Sequence, residues 1–133
     1  MPAVNPEPVE RYRYTKAHRL SGDKEFQAVF DNKLRKNAGP LAVLAKPNEY
    51  KHHRFGMTVP RRVGNAVARH RIKRRLREAF RLNQTNWAGC YDMVVIVYPH
   101  ELLSVDEYAD YLSKAAAQLH TTAEKRAAKN AQG

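Results

Sequence analysis

The stretch RRVGNAVARHRIKRRLREAFRL, residues 61–82, decides how the chain is read. Gly64-Asn65 is a helix start: glycine permits the turn, and the Asn65 side chain can accept from the freed N–H groups of the first turn. At about 100° per residue, Ala68, Ile72, Leu76, Ala79 and Phe80 fall on one stripe, so the spacing predicts a helix over 65–82 whose apolar side packs on a sheet. His70, Lys73, Arg74, Arg77 and Arg81 fall on the opposite face, with Arg71 and Arg75 flanking the stripe. Arg69 points into the apolar arc between Leu76 and Phe80. Either its stem snorkels along the edge of the core, or it aims a guanidinium at a phosphate from a fixed position.

The same stretch holds most of the charge. The chain has 133 residues, 24 Lys+Arg against 13 Asp+Glu, and a formal net charge of +11. Residues 61–82 contain nine of the basic residues and one acid, Glu78, a net +8 within 22 positions. Elsewhere the charges nearly balance. A solvated helix of this kind carries interspersed acids for i,i+4 pairs, which are missing here, so a polyanionic partner is the better account of the repulsion. Eight of the nine are arginine, which favours forked contacts with phosphates. The apolar arc is narrow and needed by the core, which argues against a helix lying on a membrane.

Working outward, residues 54–59 alternate Phe55, Met57 and Val59 with Arg54, Gly56 and Thr58, and residues 91–98 are rich in β-branched side chains; both read as strands. An apolar run at 41–45, bracketed by Gly39-Pro40 and Pro47-Asn48, reads as a buried strand. A first helix is predicted at 22–32, with Ser21 as N-cap and Phe26, Val29 and Phe30 on one face. A last helix begins after Ser104, where Ser104 and Glu107 form a capping box and Leu103 with Tyr108 a hydrophobic staple. Its stripe is Tyr108, Tyr111, Leu112, Ala115 and Leu119. The expected architecture is α+β, a small αββαβα sandwich in one domain at 18–124, with flexible tails at 1–17 and 125–133. The longest apolar run, 93–98, is far short of the roughly 20 residues of a membrane span, and the N-terminal stretch lacks a signal-peptide pattern, so a cytoplasmic protein is expected. One cysteine, Cys90, excludes an intrachain disulfide.

Residues 61–78 closely resemble the signature of the protein subunit of bacterial ribonuclease P. The similarity extends to Arg19-Leu20, Glu25-Phe26 and Val29-Phe30 upstream, to 55–59 before the motif and to 91–96 after it, about residues 18–120 in all. The resemblance implies a sandwich with the same element order. It also implies a left-handed crossover through the basic helix, where about 98% of such connections are right-handed. The function implied is removal of the 5′ leader from precursor tRNA, as the accessory subunit of an endoribonuclease whose chemistry resides in its RNA subunit. Mg2+ held mainly by that RNA would activate the attacking water. Carried over by position, Asn65, Arg69, His70, Arg71, Lys73, Arg74 and Arg77 would contact the RNA subunit. Phe26, Phe30, Arg61 and Arg62 would line the cleft for the 5′ leader, a positive groove with stacking rings. Phe26 and Phe30 read equally as core. Two positions depart from the family pattern: His70 stands where Asn is usual, and Leu44 where the first strand often offers the cleft an aromatic.

No independent catalytic motif is present. The six histidines lack zinc-ligand spacing, Asp92 and Asp106-Glu107 read as turn and cap residues, and neither a catalytic residue nor a metal site is expected in the protein. Two competing readings are a structural RNA-binding protein of ribosomal type and a helix-turn-helix DNA binder. The second is disfavoured because a strand, not a short helix, precedes the basic helix.

Overall fold

In the computed structural model, which describes residues 16–20 and 22–132, the chain lays down helix α1 (Asp23–Asp31), strands β1 (Leu34–Ala38), β2 (Leu41–Pro47) and β3 (Arg54–Thr58), the basic helix α2 (Ala66–Asn83), strand β4 (Tyr91–Val97) and helix α3 (Val105–Gln132). The strands form one sheet in the order β1-β2-β4-β3. β1 and β4 flank β2 antiparallel, with Leu44 opposite Arg35 on one side and Val94 on the other. β3 pairs parallel with β4, Gly56 facing Val94, so α2 is the crossover whose hand the resemblance concerns.

Alternation along the central strands sends side chains into two cores. Leu41, Val43, Ala45, Met93, Val95 and Val97 face a larger core with Ile72, Leu76, Ala79 and Phe80 of α2 and Tyr108, Leu112, Ala115 and Leu119 of α3. Leu44 and Val94 point the other way, against Val29 of α1 and Leu20, with Phe26, Phe30 and Ile96 partly buried beside them. Burial on both faces is why β2 and β4 read as continuous apolar runs. Phe55 and Phe80 stack at the heart of the larger core, their ring centroids 4.6 Å apart. Truncating either ring should cost about 3–5 kcal/mol.

Three expectations change. The sequence LRKNA forms an extra edge strand, β1, so the order is αβββαβα. Only its end residues, Leu34 and Ala38, are buried; Lys36, between them on the same face, is polar, so the sequence shows no apolar alternation. Gly39 at φ +55 and Pro40 then turn the chain into β2. The C-terminal tail expected at 125–133 is helical through Gln132: α3 continues for 28 residues, and its Arg126 reaches the carbonyls of Asn32 and Lys33 just past the end of α1. Helix α1 begins at Gly22 without a side-chain cap, while Ser21 and residues 1–15 of the expected N-terminal tail lie outside the described residues. The other helix starts form as expected. Ser104 Oγ accepts from the Glu107 N–H at 3.1 Å, and Glu107 Oε1 accepts from the Ser104 N–H at 3.1 Å.

Candidate nucleic-acid interface

Helix α2 is built as its sequence requires. Asn65 Oδ1 accepts from the Ala68 N–H at 2.8 Å, and the apolar stripe is buried at Ile72, Leu76, Ala79 and Phe80. Two of its arginines are spent inside the protein. Arg75 donates to the Leu103 carbonyl at 2.8 Å, holding the loop before α3, and Arg81 forks onto Glu78 at 2.7 and 2.8 Å. Those bonds hold the Glu78 carboxyl below its ordinary value, so the only acid of the helix is already engaged.

The remaining cations divide between two flanks rather than sharing one face. Arg71 and Arg74 are exposed beside Arg75 on a groove of about 560 Å³ that also touches Val105. Lys73 and Arg77 are half-buried and turn the other way, into a groove of about 280 Å³ shared with Arg19, Phe26 and Met57. No carboxylate pairs with Arg71, Lys73, Arg74 or Arg77 among the described residues. His70 is exposed. Arg69 is half-buried along the core edge, as its stem suggested, yet its Nε is buried without a hydrogen-bond partner among the described residues. A desolvated cationic donor of this kind is costly until an acceptor arrives, and a phosphate oxygen is a suitable one.

Of the second set, Phe26 and Phe30 lie on the α1 side of the sheet. Phe26 and Phe30 are half-buried, packing with Ile96 over Leu44 and Val94. They are therefore partly core and partly open surface. Phe26 reaches over Gly56, where a Cβ would lie 2.7 Å from its Cζ. Leu44 is only 5% exposed, beneath α1, and offers the cleft nothing. Arg61 and Arg62 are exposed on the 3-10 turn Arg61–Val63, and the Arg62 guanidinium stands 5.8 Å from the centroid of the Tyr98 ring. Phe26 thus borders both areas, since it also lines the groove of Lys73 and Arg77.

A family model described as Ribonuclease P matches residues 14–120. The chain belongs to the ribonuclease P protein family. It is 41% identical over 92 residues to the ribonuclease P protein component of Methylococcus capsulatus, covering 68% of this chain and 71% of that one. The RNase P protein of Staphylococcus aureus superposes with a TM-score of 0.66 at 27% identity, over 75% of this chain and 93% of that one. The Thermotoga maritima RNase P protein superposes equally well, with a TM-score of 0.66 at 25% identity, over 75% of this chain and 96% of that one.

The chain has further polar clusters outside its basic helix. At the far end of the sheet, His53 is buried, its Nδ1 accepting from the Tyr91 N–H at 3.0 Å and its Nε2 facing the Trp87 carbonyl at 3.3 Å. Burial holds its imidazole below the ordinary value, so it is the neutral Nε2–H tautomer that fits. Arg54 forks onto Asp92 at 2.8 and 2.7 Å and reaches Glu25 of α1 at 2.7 Å, which locks α1 to β3 and β4. Asp92 is thus an ion-pair anchor, a role that its position beside a turn did not suggest. Among the described residues no three His, Cys, Asp or Glu side chains converge to hold a metal ion. No described helix is long and apolar enough to cross a membrane.

Proposed function

We propose that this chain is the RNA-binding subunit of ribonuclease P and works in 5′ maturation of tRNA by gripping RNA in two places. In this reading α2 docks on the catalytic RNA subunit through Asn65, Arg69, His70, Arg71, Lys73, Arg74 and Arg77, while the α1 side of the sheet, with Phe26, Phe30, Arg61 and Arg62, holds the single-stranded 5′ leader of the precursor. The observation that carries it is the pairing of a carboxylate-poor arginine helix with half-exposed rings on the neighbouring sheet face. Folded RNA needs distributed phosphate contacts, and a single strand needs rings and a few cations.

Cleavage chemistry is assigned to the RNA subunit, with Mg2+ held there supplying the activated water; the protein contributes affinity and orientation. Precursor tRNA places the assembly in the cytoplasm. The ribosomal-type alternative predicts RNA stabilisation without any effect on cleavage, and DNA is not a partner in this reading. The deciding experiment reconstitutes the chain with a bacterial ribonuclease P RNA and a precursor tRNA at low Mg2+. Faster precursor cleavage with the protein present is the expected outcome; an unchanged rate together with unchanged RNA affinity overturns the assignment.

A further inference from the structure

We infer that Tyr98 is a nucleobase-stacking residue of the leader cleft, supplied by the end of β4 in place of a ring on β2; this deepens the proposed function and rests on it. The position on β2 that could present a ring is Leu44, buried under α1. Along β4 the residues Tyr91, Met93, Val95 and Val97 belong to the larger core, while Val94 and Ile96 face α1. Continuing the alternation puts Tyr98 on the α1 side, one step beyond Ile96, which itself packs with Phe26 and Phe30. The Tyr98 backbone is fixed there, its N–H donating to the Pro40 carbonyl at 2.9 Å.

The ring is half-buried yet belongs to neither core, and no other aromatic ring packs on it among the described residues. Its orientation is set by cations instead. Arg35 Nη2 donates to the phenol oxygen at 2.8 Å, and Arg62 stands 5.8 Å from the ring centroid. Neither arginine pairs with a carboxylate among the described residues. A pre-oriented ring between two guanidiniums matches one unpaired nucleotide: the base stacks on the ring, and its flanking phosphates meet the cations. Tyr50 makes the contrast. It is 52% exposed, but Arg54 covers it at 4.5 Å and His52 stacks at 5.8 Å, so its faces are already taken.

The test uses the reconstituted holoenzyme with Tyr98→Leu and Tyr98→Phe, and precursors with a leader of several nucleotides or of one. Each leader position in turn carries 2-aminopurine, whose fluorescence reports stacking. Tyr98→Leu should weaken binding of the long-leader precursor by about 5- to 150-fold, the range of one lost stack, and leave the one-nucleotide leader within about two-fold. Tyr98→Phe, which keeps the ring and loses the Arg35 bond, should stay close to wild type and retain the quenching at one position that Tyr98→Leu abolishes. Equal losses on both substrates, or a Tyr98→Phe variant as weak as Tyr98→Leu, would show a ring that only ties β4 to β1 and would overturn the assignment. Failure of the proposed function reads differently: wild-type protein then leaves cleavage unchanged with either leader, and quenching in a short single-stranded RNA mixed with protein alone tests the ring directly. Absence of quenching there also overturns it.

Discussion

His53 shows how a single buried residue makes the fold depend on pH. The neutral ring satisfies both of its neighbours, the Tyr91 N–H and the Trp87 carbonyl. Protonation would turn Nδ1 into a donor facing another donor. Because burial holds its folded-state pKa below the ordinary imidazole value of about 6.5, the unfolded chain takes up the proton first as pH falls. The contribution of His53 is therefore complete above that value and lost progressively below it. His18 shifts in the same direction, through burial and the charges of His52 and His53, and steepens the loss. The melting temperature should fall between about pH 7.5 and about pH 5.5, and it should fall less steeply in His53→Gln, whose amide does not titrate. Parallel slopes for the two proteins would remove His53 as the cause. Gly56 carries a steric constraint of comparable locality. A Cβ there would lie 2.7 Å from Phe26 Cζ and 2.8 Å from the backbone oxygen of Leu20. Gly56→Ala should therefore cost about 1–3 kcal/mol in a urea melt, by pushing α1 off the sheet. In the sequence Gly56 is merely the polar beat of an alternating strand, and nothing there reveals that an aromatic ring rests on it.

Among the elements, those with a strong period were legible and those held by tertiary contacts were not. Helix α2 could be read to within a residue, because its cap, stripe and cationic face all agree. β1 could not, since an edge strand of Leu-Arg-Lys-Asn-Ala shows neither β propensity nor alternation and exists because β2 lies beside it. KRAAKNAQG has no apolar stripe, so the sequence predicts a tail where α3 continues. What holds it is polar: Arg126 donates to the carbonyls of Asn32 and Lys33, both at 2.8 Å, where α1 ends and Lys33 takes φ +57. A cation on the last carbonyls of a helix caps it and complements its dipole. The contact also fixes where α1, with Phe26 and Phe30, ends over the sheet. Arg126→Ala should lower stability by about 1 kcal/mol, modest because the pair is exposed, and should raise amide exchange at the C-terminus of α1. Unchanged exchange at residues 30–33 would mean that Arg126 touches the end of α1 without holding it.

For the molecule as a whole, the +11 resolves into a nearly balanced domain carrying one cationic helix, and the structure divides that helix's charge again. Arg75 and Arg81 serve the fold, Arg71 and Arg74 open on one groove, and Lys73 and Arg77 share another with Phe26. The helical periodicity of the sequence puts Lys73, Arg74 and Arg77 together on one face, whereas the structure sends Arg74 to one groove and Lys73 with Arg77 to the other. Helical angles locate side chains around an axis; they do not say which neighbouring elements close the space on either flank. The partition can be measured through salt. Each phosphate contact releases counterions, so losing one should flatten the slope of log K against log salt by about 0.7–0.9. Arg71→Ala and Arg69→Ala should each do so for the RNA subunit, and Arg69→Ala should also weaken binding beyond its share of charge, because in the proposed complex a phosphate would give its buried, unpartnered Nε an acceptor. Arg81→Ala loses the same formal charge, yet its guanidinium is already neutralised by Glu78 and should leave the slope unchanged. Equal flattening by all three would mean that the RNA responds to net charge alone, and that the geometry of the helix places no individual contact.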